Sequence, residues 1–129
     1  MHDLENVCRR LSDDPRVQAI YLFGSAAAGE AREDSDIDLA VLTGKRIGLG
    51  DELRLRAIAV EELRRDDIDF VILDHAPPLL RYEVVTRGRR LFARDAAAVD
   101  MFEHRSIMTY MDTAHLRRMV RDILREATR

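Results

Sequence analysis

Apolar residues along this chain of 129 residues alternate between two periods, one helical and one extended. Leu4, Val7, Cys8 and Leu11 recur at three and four residues, and Ser12-Asp13-Asp14-Pro15 stops that helix because proline cannot continue it. Val17 to Phe23 is a β-branched and aromatic run that predicts a strand opening into a turn at Gly24. Asp36 to Thr43 alternates, with Ile37, Leu39 and Val41 on one face and Asp36, Asp38 and Ala40 on the other, so its apolar face must meet a helix layer. After a loop containing Gly44, Gly48 and Gly50, Asp51 is expected to cap a helix to about Arg65 whose buried stripe is Leu53, Ala57, Val60 and Leu63; Leu55 and Ile58 fall off that stripe. Asp67 to Leu73 repeats the strand alternation and puts Asp69, Val71 and Leu73 on one side. Pro77 and Pro78 suit the first turn of a helix that reaches Thr86 and ends at Gly88, and Arg89 to Ala93 predicts a short edge strand. From Asp95, a predicted N-cap, Val99, Phe102, Ile107, Tyr110 or Met111, Leu116, Met119 or Val120, and Ile123 hold a 3.6-residue period, with a break expected near Thr113.

This pattern predicts one compact α/β (α+β) domain over residues 1–129, with a core to about residue 94 and a helical segment from about 95 to 129. Composition narrows the function. The net charge of -3 provides no basic field for gathering nucleic acid by counterion release, so direct nucleic-acid binding is not expected. Cys8 is the single cysteine, which rules out an internal disulfide and a thiolate zinc cluster and fits a reduced, cytoplasmic setting. The first residues lack the basic-then-apolar run of a secretion signal, and no uncharged apolar stretch has the length of a membrane span.

The chemistry concentrates between Gly24 and Asp38. Gly24 lets backbone approach a phosphate closely, and Ser25 offers a hydroxyl and an N–H. Ala26-Ala27-Ala28 predicts a short helix whose N-terminus attracts anions, ended by Gly29. Carboxylates at i and i+2 of a strand, as in Asp36 and Asp38, have Cα atoms roughly 6.5–7 Å apart and point the same way. Side chains of that length can converge on a metal pair about 3.5–4 Å apart. So placed they repel one another, and magnesium relieves the repulsion while filling its remaining positions with water and phosphate oxygens. Asp69 adds a third carboxylate from a neighbouring strand. A Gly-Ser turn or an Asp-x-Asp strand is ordinary alone; both in order on strand, turn and strand point to a site for a nucleoside triphosphate and its magnesium ions.

Gly24, Ser25, Asp36 and Asp38 at this spacing resemble the signature of the DNA polymerase β-like nucleotidyltransferase superfamily, specifically its minimal nucleotidyltransferase group, to which the MntA antitoxins belong. Asp69 matches the third acidic position, and the segment from Arg87 to Asp95 with the later helix around Phe102 and Tyr110 extends the likeness over nearly the whole chain. The resemblance implies a mixed sheet with helices on one face and an ATP site on the other. It implies two Mg²⁺ held by Asp36, Asp38 and Asp69, with Gly24 and Ser25 on the β- and γ-phosphates and Asp69 as the base for an acceptor hydroxyl. In that group the acceptor is a tyrosine of the HEPN-domain ribonuclease HepT, and adding AMP there neutralises the toxin.

Two other classes remain open: a small-molecule nucleotidyltransferase of the aminoglycoside-modifying kind, and a binding module that inhibits a partner by docking alone. Homo-oligomerisation is likewise open. Lys45 and Arg46 follow the acidic strand and could reach a triphosphate, but a loop pair of this kind is more often a solvated surface feature. His75, His104 and His115 are expected to be structural or surface residues. Arg117, Arg118, Arg121 and Arg125 form a basic helix end suited to the C-terminal dipole, and Tyr82 and Tyr110 are expected in the core rather than as AMP acceptors.

Overall fold

The computed structural model describes residues 2–24 and 36–128. Within them the chain runs α1 (His2–Ser12), β1 (Ala19–Phe23), β2 (Ile37–Leu42), α2 (Leu49–Leu63), β3 (Ile68–Ile72), a single 3₁₀ turn at Leu73–His75, α3 (Pro78–Arg87), β4 (Arg89–Ala93) and α4 (Ala96–Ala127). The sheet order is β3-β2-β1-β4. β1 pairs antiparallel with both β2 and β4, while β2 and β3, joined through α2, pair in parallel. The sheet is therefore mixed and β4 lies at an edge, as the sequence pattern predicts.

Strand alternation sorts the core into two layers. Ile20, Leu22, Leu39, Val41, Ile68 and Ile72 point to the face covered by α1 and α2, where they meet Val7, Leu11, Leu55 and Ala59. Ala19, Tyr21, Ala40 and Leu42 point to the other face and meet Leu73, Val84 of α3 and Val99 of α4. The second face is thus not bare, contrary to a sheet with helices on one face only. The small Ala19 and Ala40 let α3 and the first turns of α4 approach there. Tyr21, almost fully buried, donates its hydroxyl to Glu103 at 2.6 Å, and Arg90 reaches the same carboxylate at 3.2 Å, so the Tyr21 hydroxyl is satisfied.

Three local expectations change. Gly48, not Asp51, is the N-cap of α2, in extended backbone without a side-chain bond; Asp51 sits in the first turn and accepts from Arg16 at 3.0 Å and Arg54 at 3.1 Å. The buried stripe of α2 is Leu55 and Ala59, with Ile58, Val60 and Leu63 partly covered, whereas Leu53 is exposed. Two apolar i, i+4 pairs compete on this helix, and packing against α1 selects the one periodicity does not favour. Finally, α4 continues unbroken through Thr113, whose hydroxyl donates to the Tyr110 carbonyl at 2.9 Å and so stays satisfied inside the helix. Asp95 does cap it, accepting from the Ala98 N–H at 3.3 Å.

One edge of the fold is pinned by arginine. Arg94, just after β4, donates to the carbonyls of Val17, Ser12 and Asp14, which ties the α1–β1 connection to the sheet edge.

The revised α2 stripe makes a direct prediction: Leu55→Ala should cost about 2–5 kcal/mol in urea unfolding, and Leu53→Ala less than about 0.5 kcal/mol. The reverse order would restore the stripe that periodicity favours.

Candidate active site

The acidic residues are gathered by strand register. In the parallel ladder Asp38 lies opposite Asp69, and in the antiparallel ladder Asp38 lies opposite Phe23, the last residue of β1. Alternation places Asp38 on the same face as Ala40 and Leu42, and Asp69 on the same face as Val71, so both carboxylates lie on the α3/α4 face toward one end of the sheet. Asp69 and Asp36 are exposed and Asp38 is half-buried.

Gly24 closes this corner. Its φ of 72° is left-handed, and a β-carbon built there would stand 2.0 Å from Asp38 Oδ2. Any side chain at this position would therefore be strained in its backbone and would collide with the carboxylate. The turn after β1 lies directly against Asp38, as the expected pairing of a glycine turn with the acidic strand requires.

Burial pushes the Asp38 carboxyl above the ordinary carboxylate range, and the nearby charges of Asp69 and Asp36 push it the same way. Arg65 pairs with Asp67 and lies within reach of the Asp36 charge, so one cation borders the cluster. Arg56 donates to the Asp66 carbonyl at 3.2 Å and the Ile68 carbonyl at 3.3 Å, which fixes the start of β3 and hence the height of Asp69. Sequence reasoning missed both arginines; a cation close in sequence to Asp67 was the available signal for Arg65, and none existed for Arg56.

The donor set fits magnesium in a limited sense. Among the described residues, no three His, Cys, Asp or Glu side chains draw together into a group able to hold an ion alone. Asp36 stands just ahead of β2, apart from the ladder that joins Asp38 to Asp69. An all-protein cage is not what magnesium asks for; it takes one or two carboxylates and completes its shell with water and phosphate oxygens. A half-buried Asp38 raised by two acidic neighbours is the kind of group a cation would stabilise in its charged form.

Ser25, expected on the phosphates, lies outside the described residues, as does the Ala26–Gly29 segment. Lys45 and Arg46 follow the far end of β2 and border a cavity with Asp74, Arg81 and Arg105. Four strand residues, roughly 13 Å, already separate Asp38 from Leu42, so this pair belongs to the opposite end of the sheet. His75 accepts from the Ile47 N–H at 3.2 Å and lies 3.7 Å from Glu52, a loop-fixing role, while His104 and His115 are exposed on α4. Tyr82 and Tyr110 stack on each other with centroids 4.2 Å apart.

Comparison with known proteins matches residues 5–97 to the family described as "Polymerase beta, Nucleotidyltransferase". The chain belongs to this family. It is 33% identical over 100 residues, 70% of this chain and 69% of the relative, to "Protein adenylyltransferase MntA" of Shewanella oneidensis. A crystal structure of a toxin-antitoxin with AMP-PNP superposes with a TM-score of 0.77 at 31% identity, over 93% of this chain and 97% of the other. A structure of tri-AMPylated Shewanella oneidensis HEPN toxin in complex with MNT antitoxin superposes with a TM-score of 0.71 at 27% identity, over 95% and 98%. Both structures superpose over more than nine-tenths of this chain, so the likeness extends well beyond residues 5–97. Among the described residues, no helix is long and apolar enough to cross a membrane.

Because its carboxyl is raised in the folded chain, ionised Asp38 costs stability above that raised value, and the cost is absent below the ordinary carboxylate range. Asp38→Asn should therefore raise Tm at pH 7 in the absence of divalent metal, with the gain shrinking as pH falls toward 3. A lower Tm for the variant at pH 7 would show that Asp38 is held by favourable contacts rather than crowded by charge.

Proposed function

We propose that this chain is a magnesium-dependent nucleotidyltransferase that moves AMP from ATP onto a tyrosine of a HEPN-domain toxin of the HepT kind, and thereby neutralises it. The observation that carries the reading is the pairing of Asp38 with Asp69 across parallel strands, against a left-handed Gly24 whose missing side chain leaves room for the carboxylate. Family membership and the 33% identity to an MntA protein adenylyltransferase support it, as does the likeness to a toxin–antitoxin structure with AMP-PNP. The likeness to a complex holding an AMPylated HEPN toxin names the partner class.

In this reading Asp36, Asp38 and Asp69 would hold two magnesium ions, and Gly24 and Ser25 would take the β- and γ-phosphates. Bound magnesium supplies charge neutralisation at the phosphates and at the departing pyrophosphate. Asp69, the more exposed of the paired acids, faces the acceptor and takes the tyrosine hydroxyl proton. The phenolate oxygen then forms a bond to the α-phosphorus in line with the bond that breaks to pyrophosphate, leaving AMP on the tyrosine. Asp38, deeper in the site, stays in place throughout as an anchor. The free thiol of Cys8 and the need for ATP fit a cytoplasmic setting.

Incubation with α-labelled ATP, Mg²⁺ and a HEPN-domain toxin of the HepT kind should label the toxin. Asp38→Asn or Asp36→Asn should lower the labelling rate by at least about 10²-fold, with an unchanged circular dichroism spectrum. A variant with full activity, or label on a small molecule in place of the toxin, would overturn the assignment.

A further inference from the structure

The distal half of α4 is an amphipathic arm whose apolar stripe is exposed among the described residues. Val99, Phe102 and Ser106 bury the proximal half, and the Tyr82–Tyr110 stack is the last ring contact α4 makes with α3. Beyond it, residues 114–127 extend for about 20 Å at 1.5 Å per residue. Along this arm Leu116, Val120, Ile123 and Leu124 recur at i, i+4, i+7 and i+8, yet they are 57%, 54%, 62% and 60% exposed. Scattered exposed aliphatics need no explanation, but four on one continuous helical stripe do.

Charge limits what can cover the stripe. Arg117, Arg121 and Arg125 follow one edge at four-residue spacing. Arg117 lies over the Tyr110 ring at 5.4 Å, and the guanidinium groups of Arg121 and Arg125 have no ion-pair partner among the described residues. A second copy packed antiparallel would set this arginine row against its own equivalent. The edge asks for an acidic complement and the stripe for an apolar helix. The toxin–antitoxin structure with AMP-PNP superposes over 93% of this chain, an extent that takes in part of the arm, since residues 1–113 make up a smaller share than that.

We infer that the arm, through Leu116, Val120, Ile123 and Leu124, is the surface that grips the HEPN toxin, receiving an apolar toxin helix edged with carboxylates. The inference rests on the toxin being the partner, as proposed above. It separates holding the toxin from modifying it: the arm captures, and the acid cluster at the end of the sheet transfers.

The test uses the full chain and a HEPN-domain toxin of the HepT kind, with binding measured by calorimetry and transfer by labelled ATP. Val120→Glu with Leu124→Glu changes only exposed positions, so the fold should hold, and magnesium-ATP binding reports that it does. The double variant should raise the toxin Kd by at least about 100-fold while binding magnesium-ATP like the wild type. Unchanged toxin affinity with intact transfer would overturn the docking surface and leave the proposed function standing. Lost affinity for the double variant, with a wild type that binds toxin but never labels it, would uphold the surface and sink the transferase reading. Sedimentation of the wild-type chain alone as a dimer that the double variant dissolves would assign the stripe to a second copy, and a wild type that binds no toxin would overturn both.

Discussion

The constraint on which the rest depends is like-charge crowding at one end of a mixed sheet. Parallel pairing of β2 with β3 sets Asp38 beside Asp69, and the turn after β1 brings Gly24 within 2.0 Å of Asp38 measured from a hypothetical β-carbon. Nothing in the packing requires two carboxylates there; an apolar pair would stabilise the sheet better. The site is kept at a cost that a bound cation and phosphate would offset, which is the usual relation between an active site and the stability of its scaffold.

The scaffold meets that cost elsewhere. Two apolar layers close on both faces of the sheet. Arg56 on the carbonyls of Asp66 and Ile68 holds the start of β3, and Arg94 ties α1 to the opposite edge. Gly88, where a β-carbon would stand 2.4 Å from the Val84 carbonyl oxygen, lets α3 turn tightly into β4. These contacts lie away from the acids but decide where the acids meet.

Most of this was legible in the sequence because strands declare themselves. The alternation in Ile37-Asp38-Leu39 and Ile68-Asp69-Phe70 placed both acids on one face, and parallel pairing, a property of topology, then set them side by side. Less visible was whatever depends on choosing among equivalent surfaces. Leu53 and Ala57 share the spacing of Leu55 and Ala59, and only the position of α1 decides which pair is buried. The cover on the second face was hidden because apolar periodicity in α3 and α4 does not say which face of the sheet a helix lands on, and Ala19 and Ala40 make the fit by being small. Lys45 and Arg46 follow the acidic strand in sequence but leave it at the far end, so proximity along the chain misled there. The apolar period of α4 predicted a helix correctly but did not say what its stripe meets: past Tyr110 Leu116, Val120, Ile123 and Leu124 are exposed.

The most direct measurement is calorimetric titration of the full chain with ATP, once with Mg²⁺ and once with EDTA. If the crowded acids and the glycine turn form a metal-nucleotide site, ATP binds with Mg²⁺ and binding falls to baseline with EDTA, because the uncompensated carboxylates repel the triphosphate. Equal affinity in both titrations would contradict the account, since it would place the nucleotide away from Asp38 and Asp69.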